Sequence, residues 1–362
     1  MSYKIQDGYG TTRWLASTAY KGLASNEQEH IQHVGVAPID SAAIDPFGRS
    51  RVSQPYTVFD SKMVADKAPL YYDEVLSGTA ASVFNTGDAS VSLSVSADGD
   101  YAIRQTFMRF NYQPGKGQLI LMTGLIGSPV ANTVSRIGYF NSPYVAPYTA
   151  SFDGIYFESG SEAVSVNIAK SGVIESVSQD DWNLDKMDGS GPTGITLDFD
   201  KVQIFVVDFE WLGVGRVRTG VVVDGIINYV HQFVHANNTT GVYMSSPNHS
   251  IRYEVRSSGG AKSIKHICSS VQSEGGLEPS GVSFSIDNGI TPVSISNTLE
   301  MVLAVRLSAD HPCTTEVLET MSVLTSSTAN FLWAVLLNPT VTGLVDGDFT
   351  SVDGSAMDVA VG

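Results

Sequence analysis

Apolar and polar residues alternate without a break along Val91-Ser92-Leu93-Ser94-Val95, the two-residue period of a half-buried β-strand. Ala97-Asp98-Gly99-Asp100 then turns the chain, and Tyr101 to Phe110 runs back as the next strand. Gln113-Pro114-Gly115-Lys116-Gly117 turns it again ahead of Gln118-Leu119-Ile120-Leu121-Met122, whose apolar run predicts a strand covered on both faces. Ile155-Tyr156-Phe157-Glu158 and Val164-Ser165-Val166-Asn167-Ile168 flank a Ser/Gly turn. Ser171-Gly172 joins the second of these to Val173-Ile174-Glu175-Ser176-Val177. The strongest hairpin signal is Val221-Val222-Val223, Asp224-Gly225, Ile226-Ile227-Asn228-Tyr229. Both central residues of a type I′ turn need positive φ, which Asp-Gly tolerates. Turn signals recur at about 8 to 15 residues with no amphipathic helix between them, which predicts an all-β jelly-roll or concanavalin-like sandwich. That domain is expected to span residues 56–276.

The two ends read differently. Residues 1–55 mix Gly, Ala, Ser and polar residues with no sustained period, and hold turn signals at Ile39-Asp40-Ser41 and Asp45-Pro46-Phe47-Gly48. They predict an extended N-terminal arm, either disordered or an attachment peptide tethering one subunit to its neighbour. Glu274-Gly275-Gly276-Leu277-Glu278-Pro279-Ser280-Gly281 marks a boundary. Beyond it, Ser283-Phe284-Ser285-Ile286, Leu299 to Leu307 and Asn330 to Leu337 predict strands. Residues 277–362 thus form a smaller C-terminal β domain or add strands to the first. Glu316 to Thr325 has the length of a short helix, though its Val and Thr content weakens it, and the tail from Asp346 is expected to fray.

Composition narrows the function. A chain of 362 residues with 43% hydrophobic positions can bury sizeable cores without metals or disulfides, and a charged fraction of only 16% suits strands better than surface helices. A net charge of −16 with no Lys/Arg cluster argues against nucleic acid and anionic membranes as partners. No stretch approaches about 18 uninterrupted apolar residues. Met1-Ser2-Tyr3-Lys4-Ile5-Gln6-Asp7 lacks the apolar core of a signal peptide, so synthesis in a host cytoplasm is expected. Cys268 and Cys313 are too few for a disulfide framework and are expected as small buried residues.

Few residues suggest chemistry. His231 and His235 have helical ligand spacing, but their segment continues a strand, where the two rings attach about 13 Å apart. Polar positions on the outer sheet face are the expectation. Asp208-Phe209-Glu210-Trp211 puts two carboxylates on one strand face at about 6.6–7 Å, a separation compatible with acid/base work on a glycosidic bond. The segment resembles the Glu-x-Asp-x-Glu strand of retaining glucanases of concanavalin-like fold. Val206 stands where that pattern has its nucleophile. A hairpin turning through Leu212-Gly213-Val214-Gly215 instead sets Glu210 opposite Arg216 and Asp208 opposite Arg218, two structural ion pairs. Asp346-Gly347-Asp348 and Asp353-Gly354 offer oxygen ligands for calcium but lack EF-hand order, and turns account for them. Asn237-Asn238-Thr239 and Asn248-His249-Ser250 match the glycosylation triplet, and Gly213-x-Gly215 lacks the rest of a dinucleotide fingerprint. No catalytic residue, cofactor or metal is expected.

Longer motifs carry a resemblance. Tyr112 to Gly124 (Tyr-Gln-Pro-Gly-Lys-Gly-Gln-Leu-Ile-Leu-Met-Thr-Gly), Asp181-Trp182-Asn183-Leu184-Asp185-Lys186, Gly191 to Leu197 and Asp208 to Gly220 are distinctive, as are Asp45-Pro46-Phe47-Gly48-Arg49 and Tyr243-Met244-Ser245-Ser246-Pro247. Together they resemble a family of structural proteins from tailed bacteriophages, many of them marine, over residues from about 40 to 276. The resemblance implies a virion component with no catalytic residues: a capsid decoration, head fibre, minor capsid or tail-associated subunit. Its partners would be major capsid, portal or tail proteins and further copies of itself, with a homotrimer expected. Tyr139, Tyr144 and Tyr148 are candidate interface residues. The alternative is a host-facing module that binds a surface glycan through Trp182, Asn183, Asn237 and Asn238.

Overall fold

The computed structural model describes residues 54–143 and 151–277 without interruption, together with strands between residues 2 and 32, Ile44, Asp45 and Phe47, and parts of 281–361. Tyr144, Tyr148, Cys313 and Asp353-Gly354 lie outside the described residues. Where the sequence predicts an irregular arm, β1 (Ser2–Gln6), β2 (Thr12–Lys21) and β3 (Gln28–Gln32) pair as a three-stranded antiparallel meander.

The main body is a jelly-roll, concanavalin-like β-sandwich. Its strands are β4 (Pro55–Lys62), β5 (Tyr72–Ser77), β6 (Ala81–Asn85), β7 (Ser90–Val95), β8 (Tyr101–Thr106), β9 (Gln118–Leu125) and β10 (Thr133–Asn141). There follow β11 (Asp153–Ser159), β12 (Val164–Lys170), β13 (Val173–Ser178), β14 (Gln203–Phe209), β15 (Val217–Val223), β16 (Ile226–Phe233), β17 (Ile251–Ser257) and β18 (Lys262–Glu274). One sheet has seven strands in the order β13-β12-β11-β10-β17-β8-β5. The other has eight, ordered β16-β15-β14-β9-β18-β7-β6, with β4 also paired to β18. At 13 residues, β18 is long enough to hold β9 along one edge and β7 then β4 along the other.

Period-two patterning explains the packing. Phe205, Val207 and Phe209 of β14 and Ile120 and Met122 of β9 point inward against Ile137 and Tyr139 of β10 and Ile155 and Phe157 of β11. The rings of Phe157 and Phe205 meet across the sandwich at 5.0 Å. Each fully buried side chain of this size contributes about 1.5–3 kcal/mol over leaving it in water. The Asp224-Gly225 turn has φ of 52° and 78°, the positive pair that the hairpin signal requires. The turn at residues 97–100 is held by Asp100, whose carboxylate accepts from the backbone N–H groups of Ser96, Ala97 and Thr79. Those bonds, with the Thr79 hydroxyl first among them, hold the Asp100 carboxyl far below the usual carboxylate range.

The C-terminal part forms a separate three-stranded antiparallel sheet from β19 (Leu303–Leu307), β20 (Thr350–Ser351) and β21 (Met357–Val361), in the order β19-β21-β20. The tail is thus paired rather than frayed. Residues 318–325 contain no helix, consistent with the poor helix propensity of Val and Thr there. No helix among the described residues is long and apolar enough to cross a membrane.

Candidate functional site

Alternation along β14 turns Val206, Asp208 and Glu210 to the face of the eight-stranded sheet away from the main core. Asp208 lies opposite Arg218, as the turn at 212–215 predicts, and Arg218 Nη2 donates to Asp208 Oδ2 at 2.6 Å. The Tyr229 hydroxyl donates to the same oxygen. The Arg218 guanidinium lies 4.1 Å from the centre of the Tyr229 ring. The pair is fully buried, with 0% exposure of both side chains.

The covering comes from far away in the chain. Arg218 Nη2 donates to the Ile44 carbonyl at 2.5 Å, and Arg216 Nη2 to the Asp45 carbonyl at 3.2 Å. Glu210 lies opposite Arg216, with Glu210 N donating to Arg216 O at 3.3 Å and Glu210 Oε1 accepting from Arg216 N at 3.2 Å. A Cβ at Gly215 would sit 2.0 Å from Glu210 Oε1, so glycine there is what lets the carboxylate fold back on its own turn. Val206 is buried in an apolar cluster with Leu119 and Tyr229. This carboxylate face is therefore closed by Arg218, Tyr229 and the segment at 44–45, and it offers a glycosidic bond no approach to Asp208.

The histidines are separated by the fold. The β15–β16 register shifts between Thr219 and Gly220, so Gly220 faces Tyr229 while Thr219 faces His231. That bulge turns His231 inward, 4.5 Å from the Phe233 ring, where its Nδ1 accepts from Asn183 N at 3.2 Å. Burial lowers its pKa to about 4. His235 stacks on Tyr243 at 4.3 Å, and its Nδ1–H donates to the Gly215 carbonyl at 2.7 Å. Both rings are buried, contrary to the expected outer-face position. Among the described residues, no group of three His, Cys, Asp or Glu is placed to hold a metal ion.

His266 is buried next to Ser269 and resembles a nucleophile–base pair in outline. Arg104 Nε donates to His266 Nδ1 at 3.0 Å, which puts the proton of the neutral ring on Nε2, 3.1 Å from Ser269 Oγ. A ring nitrogen that already carries its proton cannot accept the serine's, so the tautomer is the wrong one for a general base. His249 lies 3.4 Å from Asp153 Oδ1, and burial pushes its imidazole below the usual range although Asp153 pulls the other way.

A second charged row, absent from the sequence reading, crosses the outer face of the seven-stranded sheet. Glu158, Arg136 and Glu254 are cross-strand neighbours on β11, β10 and β17. Arg136 donates to Glu158 at 2.6 Å and to Glu254 at 2.8 Å. Arg252 reaches Glu254 at 2.9 Å and Gln105 at 3.0 Å. Burial acts to raise the Glu254 carboxyl, but Arg252 and Arg136 outweigh it and hold it below the usual range. An ionised carboxylate shared by two guanidinium groups is a structural acceptor, with no proton to give at neutral pH.

The predicted contact residues divide. Trp182 is buried at 3% exposure, packs into the main core and donates through Nε1 to the Val177 carbonyl at 3.3 Å. Tyr139 is fully buried, and its hydroxyl donates to the carbonyls of Phe110 and Pro247. Neither offers a surface to a ligand or a partner, because each had an internal acceptor to satisfy its polar end. Asn183 instead clamps the edge of β16: its Nδ2 donates to Gln232 O and its Oδ1 accepts from Gln232 N, both at 2.9 Å. Asn237 and Asn238 sit on an exposed turn, Asn237 with φ of 63°. Asp346 accepts from Arg306 at 2.6 Å, and Asp348 accepts from Val345 N at 2.8 Å. Cys268 is half-buried on β18, with its thiol pushed up by burial.

No protein-family model matches the chain, and no curated protein does. Solved structures with a related outline include a protein of unknown function from Shewanella oneidensis MR-1. It has 10% identity and a TM-score of 0.38, and the match covers 64% of this chain and 92% of that one. The legume lectin-like domain from Entamoeba histolytica has 12% identity and a TM-score of 0.33 over 56% of this chain and 90% of that one. A glycosyl hydrolase family protein from Mycobacterium fortuitum has 8% identity and a TM-score of 0.40 over 60% and 99%. Likenesses at this level assign no activity.

Proposed function

We propose that this chain is a structural subunit of a tailed-bacteriophage virion, assembling on the particle as a capsid decoration, head-fibre or minor capsid protein. The observation that carries the reading is how the sandwich uses its charged groups. Asp208, Glu254 and Glu158, the acidic groups best placed for chemistry, are tied to arginines within the sheets. They hold strands in register and leave the body a rigid block. The motif resemblance across residues 40–276 supplies the virion context.

Immunogold electron microscopy of intact virions, with antibodies raised against the recombinant chain, tests this. Label over the head supports decoration or fibre assembly, and label confined to the tail tip favours host recognition instead. Particles free of both label and peptides of this chain by mass spectrometry would refute the virion reading.

A further inference from the structure

We infer that protonation of His266 unlatches β4 and β5 from the sandwich, so that this corner of the fold opens in acid. Polar side chains bridge the two sheets beside β18. The register of β18 against β9 shifts between His266 and Cys268, and that bulge turns both His266 and Ser269 inward, where strict alternation would part them. The extra residue, Ile267, accepts through its carbonyl from Met63 N at 3.2 Å.

Three contacts then cross from the seven-stranded sheet to the eight-stranded one. Arg104 Nε of β8 donates to His266 Nδ1 at 3.0 Å, the Tyr253 hydroxyl of β17 lies 3.0 Å from Ser269 Oγ, and the Tyr72 hydroxyl of β5 lies 2.7 Å from Ser61 Oγ of β4. The His266 ring stacks on Tyr253 at 4.0 Å and meets the Tyr72 ring at 4.9 Å. Arg104 also donates to Glu74 at 2.5 Å, to the Lys67 carbonyl and to Met63 Sδ at 3.2 Å, which ties in the connection between β4 and β5.

One protonation state fits. Neutral His266 accepts at Nδ1 and carries its proton on Nε2, 3.1 Å from Ser269 Oγ. A second proton would turn Nδ1 from acceptor to donor, against the Arg104 N–H, and set two cations in contact. The other titratable groups around the ring give no relief. Burial pushes the Tyr72 hydroxyl up to about 12 and Tyr253 well above its usual range, and it raises the Cys268 thiol as well, so all three stay neutral. Glu74 is already shared by Arg104 and Lys67. Burial and then Arg104 accordingly hold the imidazole well below the usual range. The proton is taken up only when the corner opens. Among the described strands, β4 pairs only with β18 and β5 only with β8, so these two leave with the least backbone pairing lost. Their departure uncovers Phe59, Met63 and Tyr72, all buried in the closed form.

A corner that binds a proton only when open gains about tenfold in its opening constant per pH unit below the ordinary histidine value of about 6.5. Hydrogen exchange of the full chain, followed by mass spectrometry at pH 7.5 and 5 and corrected for the intrinsic rate, tests this. Peptides across residues 56–76 are expected to open about 30-fold more at pH 5, ahead of peptides from the central strands β10 and β14. His266→Gln keeps an acceptor for Arg104 and a donor for Ser269 without taking a proton, and His266→Phe keeps the stack on Tyr253. In both variants the rise should fall below about 3-fold. A wild-type rise of that small size, or a full rise in either folded variant, overturns the inference. So does protection lost first from β10 and β14 with residues 56–76 still closed. Should neither variant fold, the wild-type rise and its location decide. None of these outcomes bears on the virion reading.

Discussion

Replacing Arg218 by leucine tests the account of the closed carboxylate face. The substitution strips Asp208 Oδ2 of its 2.6 Å partner inside a fully buried pair and removes the donor to the Ile44 carbonyl. Breaking a buried pair by deleting one partner costs about 3–5 kcal/mol. The cation over the Tyr229 ring goes as well, worth about 0.5–2 kcal/mol, partly the same energy counted differently. A total near 4 kcal/mol is a large share of the roughly 5–15 kcal/mol that holds a typical domain together. Equilibrium urea unfolding followed by tryptophan fluorescence reads this directly, since Trp182 is buried and Trp211 packs against the core. With a slope near 3 kcal/mol/M, the midpoint should fall by more than about 1 M. The double variant Asp208→Val/Arg218→Leu removes both charges and should regain about 2–3 kcal/mol of the loss, because an apolar pair has no desolvation to repay. A single-variant cost below about 1 kcal/mol is the range of exposed ion pairs and would refute the burial argument. So would a double variant whose cost equals the sum of the singles.

Three further outcomes follow from the same geometry. His231 has a folded pKa of about 4 against about 6.5 unfolded, so its stabilisation is whole above pH 6.5 and is lost as pH falls toward 4. That amounts to about 3 kcal/mol at most, and the fall in urea midpoint between pH 7 and 4.5 should be smaller in His231→Gln than in the wild type, the remainder coming from the other buried histidines. Gly138→Ala would place a Cβ 2.4 Å from Tyr156 Cβ, and a thermal melt should show a loss of about 1–3 kcal/mol. Asn183→Ala removes both side-chain bonds to the Gln232 backbone, so hydrogen exchange at Gln232 should accelerate with about 1–2 kcal/mol of local stability lost.

Much of the sandwich was legible because period two and turn chemistry are local. The alternation at 91–95 became β7, the Asp224-Gly225 hairpin formed with the expected φ pair, and counting through the 212–215 turn set Asp208 against Arg218. Two kinds of feature were not legible. The bulge between Thr219 and Gly220 breaks the parity along β16, so a strict two-residue count puts Tyr229 and His231 on one face when they lie on opposite faces. Burial by distant chain is the other kind. The turn count pairs Asp208 with Arg218 but does not show that Ile44, 174 residues before Arg218, closes over them. Tyr139 looked like a contact residue for the same reason, since nothing local shows that the Phe110 and Pro247 carbonyls wait inside for it.

The buried networks also decide what the outside of the molecule is. Arg104, Arg136, Arg218 and Arg252 each face a carboxylate within the sandwich. Those pairings are close to neutral, so the formal charge of −16 resides on the groups left outside them. At physiological salt, interactions between those exposed charges are largely screened beyond about 8 Å. The C-terminal sheet separates the two kinds of side chain: its ion pairs lie on one face, with Arg306 between Asp346 and Asp358, and the other presents Leu303, Val305 and Leu307. Charge is thus paired inward in the sandwich and gathered on one face of the C-terminal sheet.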